Sequence, residues 1–166
     1  RRKASLAQTR DGRIWIGTHS RSDPMHIYDP NRDTWTRLDP NSVGGDHSCT
    51  SMLETRDGTL WMTGHGRLTA VKDGRRKVYS SSEVRISSLQ SALLETADGA
   101  LWVGEINGRL FRVDCSDGRC LSYHGLHFQC ENAHGRRWFL TEAGTVVSQS
   151  MDGDVWEQYD RNDNLI

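Results

Sequence analysis

LLETADGALWVG, at residues 93–104, is the stretch of this sequence that decides the fold. Leu93 and Leu94 are apolar, Asp98-Gly99 is a strong hairpin-turn signal, and residues 101–103 are a compact β-favouring run. The stretch therefore predicts a strand, a tight turn and a second strand.

The same stretch recurs along the chain. Residues 52–62 read MLETRDGTLWM, residues 6–17 read LAQTRDGRIWIG, and residues 130–139 carry a weaker copy, CENAHGRRWF. Spacings of 46, 41 and 36 residues separate the tryptophans of the four copies, Trp15, Trp61, Trp102 and Trp138. A drifting period of roughly 40 residues with about four short strands per repeat is typical of β-propeller blades. Long runs of helix formers at helical spacing are absent, which argues against helical repeats.

The predicted fold is an all-β propeller of four-stranded antiparallel blades, in one domain over residues 1–166. The four blades are expected at residues 4–39, 49–80, 89–124 and 127–160. Three arrangements remain open: a closed four-bladed ring, part of a larger ring, or a ring that two chains complete. An open ring would leave two blade faces exposed as apolar patches that require a partner.

The repeated tryptophan is predicted to be a packing residue between blades. A single twisted sheet cannot bury both of its faces, so each blade has to stack on its neighbours. The second strands accordingly carry apolar residues at successive positions, as in Ile14-Trp15-Ile16. A residue that recurs in every repeat fits a scaffold role better than a role in a single binding site.

Composition and motifs exclude several classes of function. The net charge of −1 gives no general attraction to polyanions, so no nucleic acid is expected as a partner. No apolar run approaches the roughly 18–20 residues of a membrane helix, so no membrane segment is predicted in this chain. A Gly-x-Ser-x-Gly nucleophile motif and a phosphate-binding loop are both absent.

The four cysteines allow one disulfide. Cys115 and Cys120 flank a hairpin-turn sequence, and a bridge between them would favour an oxidising compartment. The alternative is two half-buried thiols that stay reduced. Cys49 and Cys130 are predicted to fill the core of different blades. No Cys-x-x-Cys pair is present, which argues against a structural zinc site.

One face of the propeller is the predicted binding surface. The loops between second and third strands share this face with the crossings between blades, and residues that differ between repeats are the candidates for function. The predicted binding residues are His19, Arg21, Asp23, Asp46, His47, His65, Arg67, Glu105, Asn107, His124 and His127. Five converging histidines would fit metal binding, acid–base chemistry or a pH-sensitive surface. The alternative is ordinary polar loops.

A second set recurs in the innermost strands and is predicted to line the channel: Gln8, Glu54, Glu95 and Glu131. Its structural interpretation is a column of paired or solvated acids. Its functional interpretation is a divalent cation bound by these carboxylate oxygens, and no other cofactor is predicted.

The phrase Asp-Gly-x-Leu/Ile-Trp-x-Gly stands at residues 11–17 and 98–104, and the second copy is followed by GRLFRVD at residues 108–114. These residues resemble the two-component regulator propeller repeat, which is related to streptogramin lyase-like propellers. The resemblance implies a sensor domain in signal transduction, in the periplasm or outside the cell. The residues alone leave the cytoplasm open.

The leading interpretation is a non-catalytic module that binds a ligand or a partner, and no catalytic residue is identified. The alternatives are a propeller enzyme, either a streptogramin lyase-like lyase or a glycan-active hydrolase, and a lectin-like protein. The ligand class stays open between a small molecule, a glycan and a protein. A second copy, or blades of a parent chain, would complete the ring.

Overall fold

The computed structural model describes residues 4–18, 25–38, 49–64, 66–79, 84, 86, 91–105, 107–115 and 119–159. The chain divides into two compact units, residues 1–93 and residues 94–166, which are the amino-terminal and the carboxy-terminal unit. The described residues form sixteen β-strands in four antiparallel four-stranded sheets. In each sheet the strands lie side by side in the order in which they follow along the chain.

The first blade consists of β1 (Ala4–Gln8), β2 (Ile14–Thr18), β3 (His26–Asp29) and β4 (Thr34–Arg37). The second blade consists of β5 (Ser51–Glu54), β6 (Leu60–Gly64), β7 (Arg67–Lys72) and β8 (Arg75–Tyr79). The third blade consists of β9 (Ser91–Glu95), β10 (Leu101–Glu105), β11 (Arg109–Val113) and β12 (Cys120–His124). The fourth blade consists of β13 (Leu126–Glu131), β14 (Arg137–Thr141), β15 (Val146–Gln149) and β16 (Trp156–Tyr159).

These up-and-down sheets are propeller blades, so the predicted fold class is confirmed. The described strands lie within the blade limits expected from the sequence except β13, which begins at Leu126, one residue before the fourth limit. The boundary between the two compact units falls inside β9. The single domain over residues 1–166 and the closure of the ring stay predictions.

The turn between the first two strands of a blade is a three-residue loop, one residue longer than the two-residue turn that Asp-Gly alone indicates. In the third blade, Thr96 N donates to Ala100 O at 3.0 Å and Gly99 N donates to Thr96 O at 2.9 Å. Gly99 has a φ of 80°, in the left-handed region that closes such loops. The same bonds join residues 9–13 and residues 55–59.

A threonine hydroxyl links the turn to the tryptophan. Thr96 Oγ1 donates to Asp98 Oδ1 at 2.6 Å and accepts a hydrogen bond from Trp102 Nε1 at 3.1 Å. The second blade repeats both bonds at 2.7 and 3.1 Å. In the first blade Thr9 bonds Asp11 at 2.6 Å, whereas the buried Trp15 Nε1 has no partner among the described residues. The hydroxyl explains why threonine, aspartate and tryptophan recur together.

In the amino-terminal unit, Trp15 packs between the two blades. It is 8% exposed and belongs to one hydrophobic cluster with Ile27 of its own blade and with Met52, Leu60 and Met62 of the second blade. Its predicted role as a packing residue is therefore confirmed. Leu60 and Met62 stand on either side of Trp61 and face the first blade, because side chains alternate along a strand.

In the carboxy-terminal unit, Trp102 has the same role between the third and fourth blades. It is 1% exposed, and its ring centroid lies 5.7 Å from that of Phe128 and 5.5 Å from that of Phe139. Phe139 is fully buried. The tryptophan of each of these two blades thus faces the blade that follows it in the chain.

The opposite face of the first blade is exposed. Leu6 and Trp35 are 62% and 61% exposed, while Ile14 and Ile16 are half-buried. Strand register places all four on the side away from Trp15, because Leu6 pairs with Ile16, and Ile14 and Trp35 both pair with Tyr28. These residues form the outer face of the first blade.

The prediction for the core cysteines is half right. Cys49 is buried at 2% exposure, as expected. Cys130 is exposed, which contradicts the prediction. A register shift between Phe128 and Cys130 pairs Cys130 with Trp138, and Trp138 faces away from the third blade. The regular alternation along β13 is therefore broken just before the cysteine.

Candidate functional site

The predicted binding residues fall into two groups. His19, Arg21, Asp23, Asp46, His47 and His65 lie outside the described residues. Arg67 begins β7 in the amino-terminal unit and is exposed. The other four, Glu105, Asn107, His124 and His127, lie in the carboxy-terminal unit, at or next to the ends of β10, β11, β12 and β13.

Three loops of the carboxy-terminal unit meet at Gly108. Gly108 follows β10 and donates from its amide to Glu105 O at 3.2 Å. Leu126 N donates to Gly108 O at 3.3 Å, which attaches the crossing between the third and fourth blades. Glu142 N donates to Gly125 O at 3.2 Å, which attaches the β14–β15 turn. Backbone bonds therefore hold the loops together.

The side chains of Glu142 and His127 converge on Gly108. A β-carbon built on Gly108 would lie 2.7 Å from Glu142 Oε1 and 3.4 Å from His127 Nε2. Gly108 has a φ of 75° and is buried, so both its conformation and its surroundings favour glycine. A carboxylate and an imidazole thus lie against one backbone position.

The remaining members of this site complete its polar character. Glu105 is 4% exposed, Asn107 is exposed and accepts a hydrogen bond from Arg109 N through Oδ1 at 3.2 Å, and His124 is exposed at the end of β12. We name the site the loop cluster, and its residues are Glu105, Asn107, His124, His127 and Glu142.

Glu142 was missed by the sequence reasoning. Its turn joins a second strand to a third, as do the loops between second and third strands that supplied other candidates. The same rule applied to every blade would have selected it.

The loop cluster has the chemistry of a polar binding site. Glu142 supplies a carboxylate that can accept hydrogen bonds or pair with a cation, and His127 supplies a ring that can accept or donate. Among the described residues, no three His, Cys, Asp or Glu side chains are grouped so as to hold a metal ion.

Two carboxylates of the predicted channel column bind backbone amides. Glu54 Oε2 accepts a hydrogen bond from Arg10 N at 2.7 Å, and Glu131 Oε2 accepts one from Ala97 N at 2.8 Å. In both cases the acid of one blade binds the turn of the preceding blade. The lining of a channel by Gln8, Glu54, Glu95 and Glu131 stays a prediction.

The disulfide between Cys115 and Cys120 also stays a prediction. Strand register places Cys120 opposite Val113, two positions before Cys115. Cys115 Sγ lies 4.0 Å from Val113 O, and Cys120 Sγ lies 3.8 Å from Leu121 O.

In the described part of the chain, no helix combines the length and the hydropathy needed to span a bilayer. Residues 2–20 match the family model described as "Two component regulator propeller". No curated protein sequence matches this chain.

Solved structures are similar over nearly the whole chain. The extracellular domain of BT4673 from B. thetaiotaomicron, described as a one component system, is 16% identical with a TM-score of 0.69 over 95% of this chain and 23% of that one. PorZ of Porphyromonas gingivalis, a surface component of the type-IX secretion system, is 15% identical with a TM-score of 0.64 over 100% of this chain and 28% of that one.

A third similar structure is the extracellular domain of the hybrid two component system BT3049 from B. thetaiotaomicron. It is 18% identical with a TM-score of 0.59 over 90% of this chain and 20% of that one. The chain thus spans about a quarter of the length of these proteins. The predicted resemblance is confirmed: the first blade carries the two-component regulator propeller repeat, and the fold is that of the propeller-like extracellular domains of such regulators.

Proposed function

We propose that this chain is part of a non-catalytic binding module of the sensor type, in the periplasm or outside the cell. The observation that carries the proposal is the loop cluster, in which Glu142 and His127 meet at Gly108. The repeat in residues 2–20 and the likeness to extracellular regulator domains support the sensor type and the location.

The loop cluster favours a ligand that donates hydrogen bonds or carries positive charge. Glu142 is exposed and His127 half-exposed, so a bound molecule can reach both. Hydroxyl and amino groups are the donors that a carboxylate and a ring nitrogen accept. Small molecules, glycans and protein segments all carry such groups.

Thermal-shift measurements with a defined panel of amino acids, nucleotides and oligosaccharides test this proposal. A compound that raises the melting temperature is then titrated by calorimetry against the wild type, His127→Ala and Glu142→Gln. We expect both variants to bind at least tenfold more weakly, which is about 1.4 kcal/mol. His134→Ala, an exposed histidine in the β13–β14 turn, is the matched control and keeps wild-type affinity. Equal affinity in all variants, or chemical conversion of the compound, contradicts the proposal.

We further propose that Glu54 and Glu131 act as structural acceptors rather than as cation ligands. Calorimetry with Ca²⁺ and with Mg²⁺ is expected to give only heats of dilution. Tight binding of either ion that Glu54→Gln or Glu131→Gln abolishes would show that the acids hold a cation instead.

The outer face of the first blade is proposed to be covered in the assembled protein, by a further blade of a parent chain or by a second copy. The exposure of Leu6 and Trp35 supports this proposal, because exposed apolar side chains on one sheet face mark an interaction surface.

A further inference from the structure

Arg137 occupies a position that is apolar in the other blades. It directly precedes the tryptophan of the fourth blade, where the first three blades have Ile14, Leu60 and Leu101. Like Leu60, it faces the preceding blade, and it is 1% exposed. A fully buried cation thus stands where an aliphatic side chain would fill the same space.

The guanidinium of Arg137 is held by groups of both blades. Nη2 lies 2.5 Å from Asp98 Oδ2 in the turn of the third blade and donates to Met151 O at 3.2 Å in the fourth. Nη1 donates to Gln149 Oε1 at 3.3 Å. The guanidinium carbon also lies 5.9 Å from the ring centroid of Trp102, within cation–π distance.

One side of the guanidinium is incompletely bonded. Arg137 Nε lies 3.7 Å from Glu131 Oε1, close enough for charge attraction but too far for a hydrogen bond. Both atoms are buried and have no hydrogen-bond partner in the described part of the chain. Because these two atoms form no hydrogen bond, Glu131 stabilises this side of the guanidinium through charge attraction alone.

The charged groups around Arg137 come from three elements. The third blade supplies Asp98, which Arg112 Nη2 also contacts at 2.9 Å. β13 supplies Glu131, and the turn after β15 supplies Asp152, whose pKa is lowered chiefly by the hydrogen bond from Ser150 and to a smaller extent by the charge of Arg137. Three carboxylates and a second cation therefore surround the buried guanidinium.

We infer that Arg137 makes the contact between the third and fourth blades dependent on the ionised carboxylate of Asp98, so that acid loosens this contact selectively. The contact between the first and second blades is apolar at the corresponding point, where Leu60 belongs to the cluster around Trp15. Among the described residues of these two blades, no buried cation would lose its partner when carboxylates become protonated.

The physical reason is the cost of an uncompensated buried charge. A buried ion pair contributes little net stability, but removing one partner is strongly destabilising because the other charge stays in a low-dielectric environment. Arginine stays charged at any pH that a protein tolerates, so protonation of Asp98 removes the negative partner and leaves the buried cation.

The pKa of Asp98 is consistent with this inference. Burial by itself would raise it, but hydrogen bonds from Thr96, Arg112 and the Ala100 amide, together with the charge of Arg137, bring it below the ordinary value. A lowered folded-state pKa gives stability that is present above the ordinary pKa and is lost as the pH falls through the folded value.

Hydrogen exchange of the full chain, read peptide by peptide from pH 7 to pH 3, tests the inference. We expect the amides of β13 and β14 in the wild type to lose protection at a higher pH than those of β5 and β6. In Arg137→Met the loss for β13 and β14 is expected to move to lower pH, because no buried cation remains. If β13 and β14 lose half of their protection at the same pH in Arg137→Met as in the wild type, the inference is overturned.

Asp98→Asn imitates the protonated carboxyl group of Asp98 at neutral pH. Asp98→Asn is expected to raise exchange in β13 and β14 roughly a hundredfold, because it strands a buried charge. The double variant with Asp98→Asn and Arg137→Met is expected to regain most of the protection. This holds also if Asp98→Asn alone does not fold. Asp57→Asn is the matched control, since it removes the same turn carboxylate next to Lys72, which is 47% exposed. Failure of Arg137→Met to rescue Asp98→Asn, or an equal effect of Asp57→Asn on its own blade, would overturn the inference.

Discussion

At the scale of the residue, one hydroxyl connects the parts of the repeat. Thr55 and Thr96 each donate a hydrogen bond to the aspartate of their turn and accept one from the tryptophan six residues later. One hydroxyl oxygen therefore links the turn to the core. The first blade lacks the second of these bonds, because Trp15 Nε1 is buried without a partner in the described residues.

That difference gives a matched pair of variants. Thr96→Val leaves the buried indole N–H of Trp102 without an acceptor, whereas Thr9→Val removes the same turn bonds but no bond to tryptophan. Leaving a buried donor unsatisfied costs about 1–3 kcal/mol. We expect Thr96→Val to lower the free energy of unfolding, measured in urea, more than Thr9→Val does, and the difference between the two losses to be about 1–3 kcal/mol. Equal losses would show that the indole bond contributes nothing.

At the scale of the element, the turns depend on ionised aspartates. The hydrogen bond from Arg13, and next that from Thr9, lower the pKa of Asp11 to about 2. The carboxylate is then more acidic in the folded state than in the unfolded chain, where its pKa is about 3.9. Its contribution to stability is present above that value and is lost as the pH falls toward about 2.

Asp11→Asn is expected to reduce this acid dependence. Between pH 6 and pH 3 the free energy of unfolding of the amino-terminal unit should fall less in the variant than in the wild type, because one titrating group has been removed. Urea unfolding at the two pH values measures the difference. A variant that loses stability as steeply as the wild type would refute the assignment.

The packing of two blades depends on a glycine at one point. A β-carbon on Gly17 would lie 2.5 Å from Cys49 Cβ and 2.6 Å from Met52 Cε, whereas one on Gly104, at the same place in the third blade, would lie 3.8 Å from Leu110 Cδ1. Overpacking a core costs about 1–3 kcal/mol. We expect Gly17→Ala to destabilise by that amount in thermal unfolding and Gly104→Ala to be tolerated. A tolerated Gly17→Ala would mean that the second blade can shift.

At the scale of the whole molecule, the exposed outer face of the first blade predicts association. Leu6→Lys places a charge on this face, while Leu121→Lys, at a position 53% exposed in β12, is the control. Sedimentation velocity over a range of concentrations is expected to show association for the wild type and Leu121→Lys, and less for Leu6→Lys. Association that is unaffected by Leu6→Lys would place the contact elsewhere.

The architecture was readable from the sequence because the same local signal occurs four times. Each copy of the turn and tryptophan fixes two strands, and the repeat period supplies the rest, so the ends of the four sheets fall within two residues of the expected blade limits. Cys130 was mispredicted because a register shift in one strand leaves no mark in a periodic pattern.

The site was less accessible because its members meet through loops rather than through a repeat. Glu142 reaches Gly108 only because glycine leaves room there, a relation between residues 34 positions apart that no local motif records. Arg137 departs from the apolar residue of the other repeats, but its partner Asp98 belongs to another blade.

The bond between Glu54 and the Arg10 amide, repeated by Glu131 and the Ala97 amide, always runs in one direction: the donor is on the earlier blade and the acceptor on the later one. In each of the two units, the earlier blade therefore supplies the amide and the later blade the carboxylate. A duplicated pair of neighbouring blades would bring both halves of this joint with it. Tandem gain or loss of blade pairs would thus leave the joint within each pair intact.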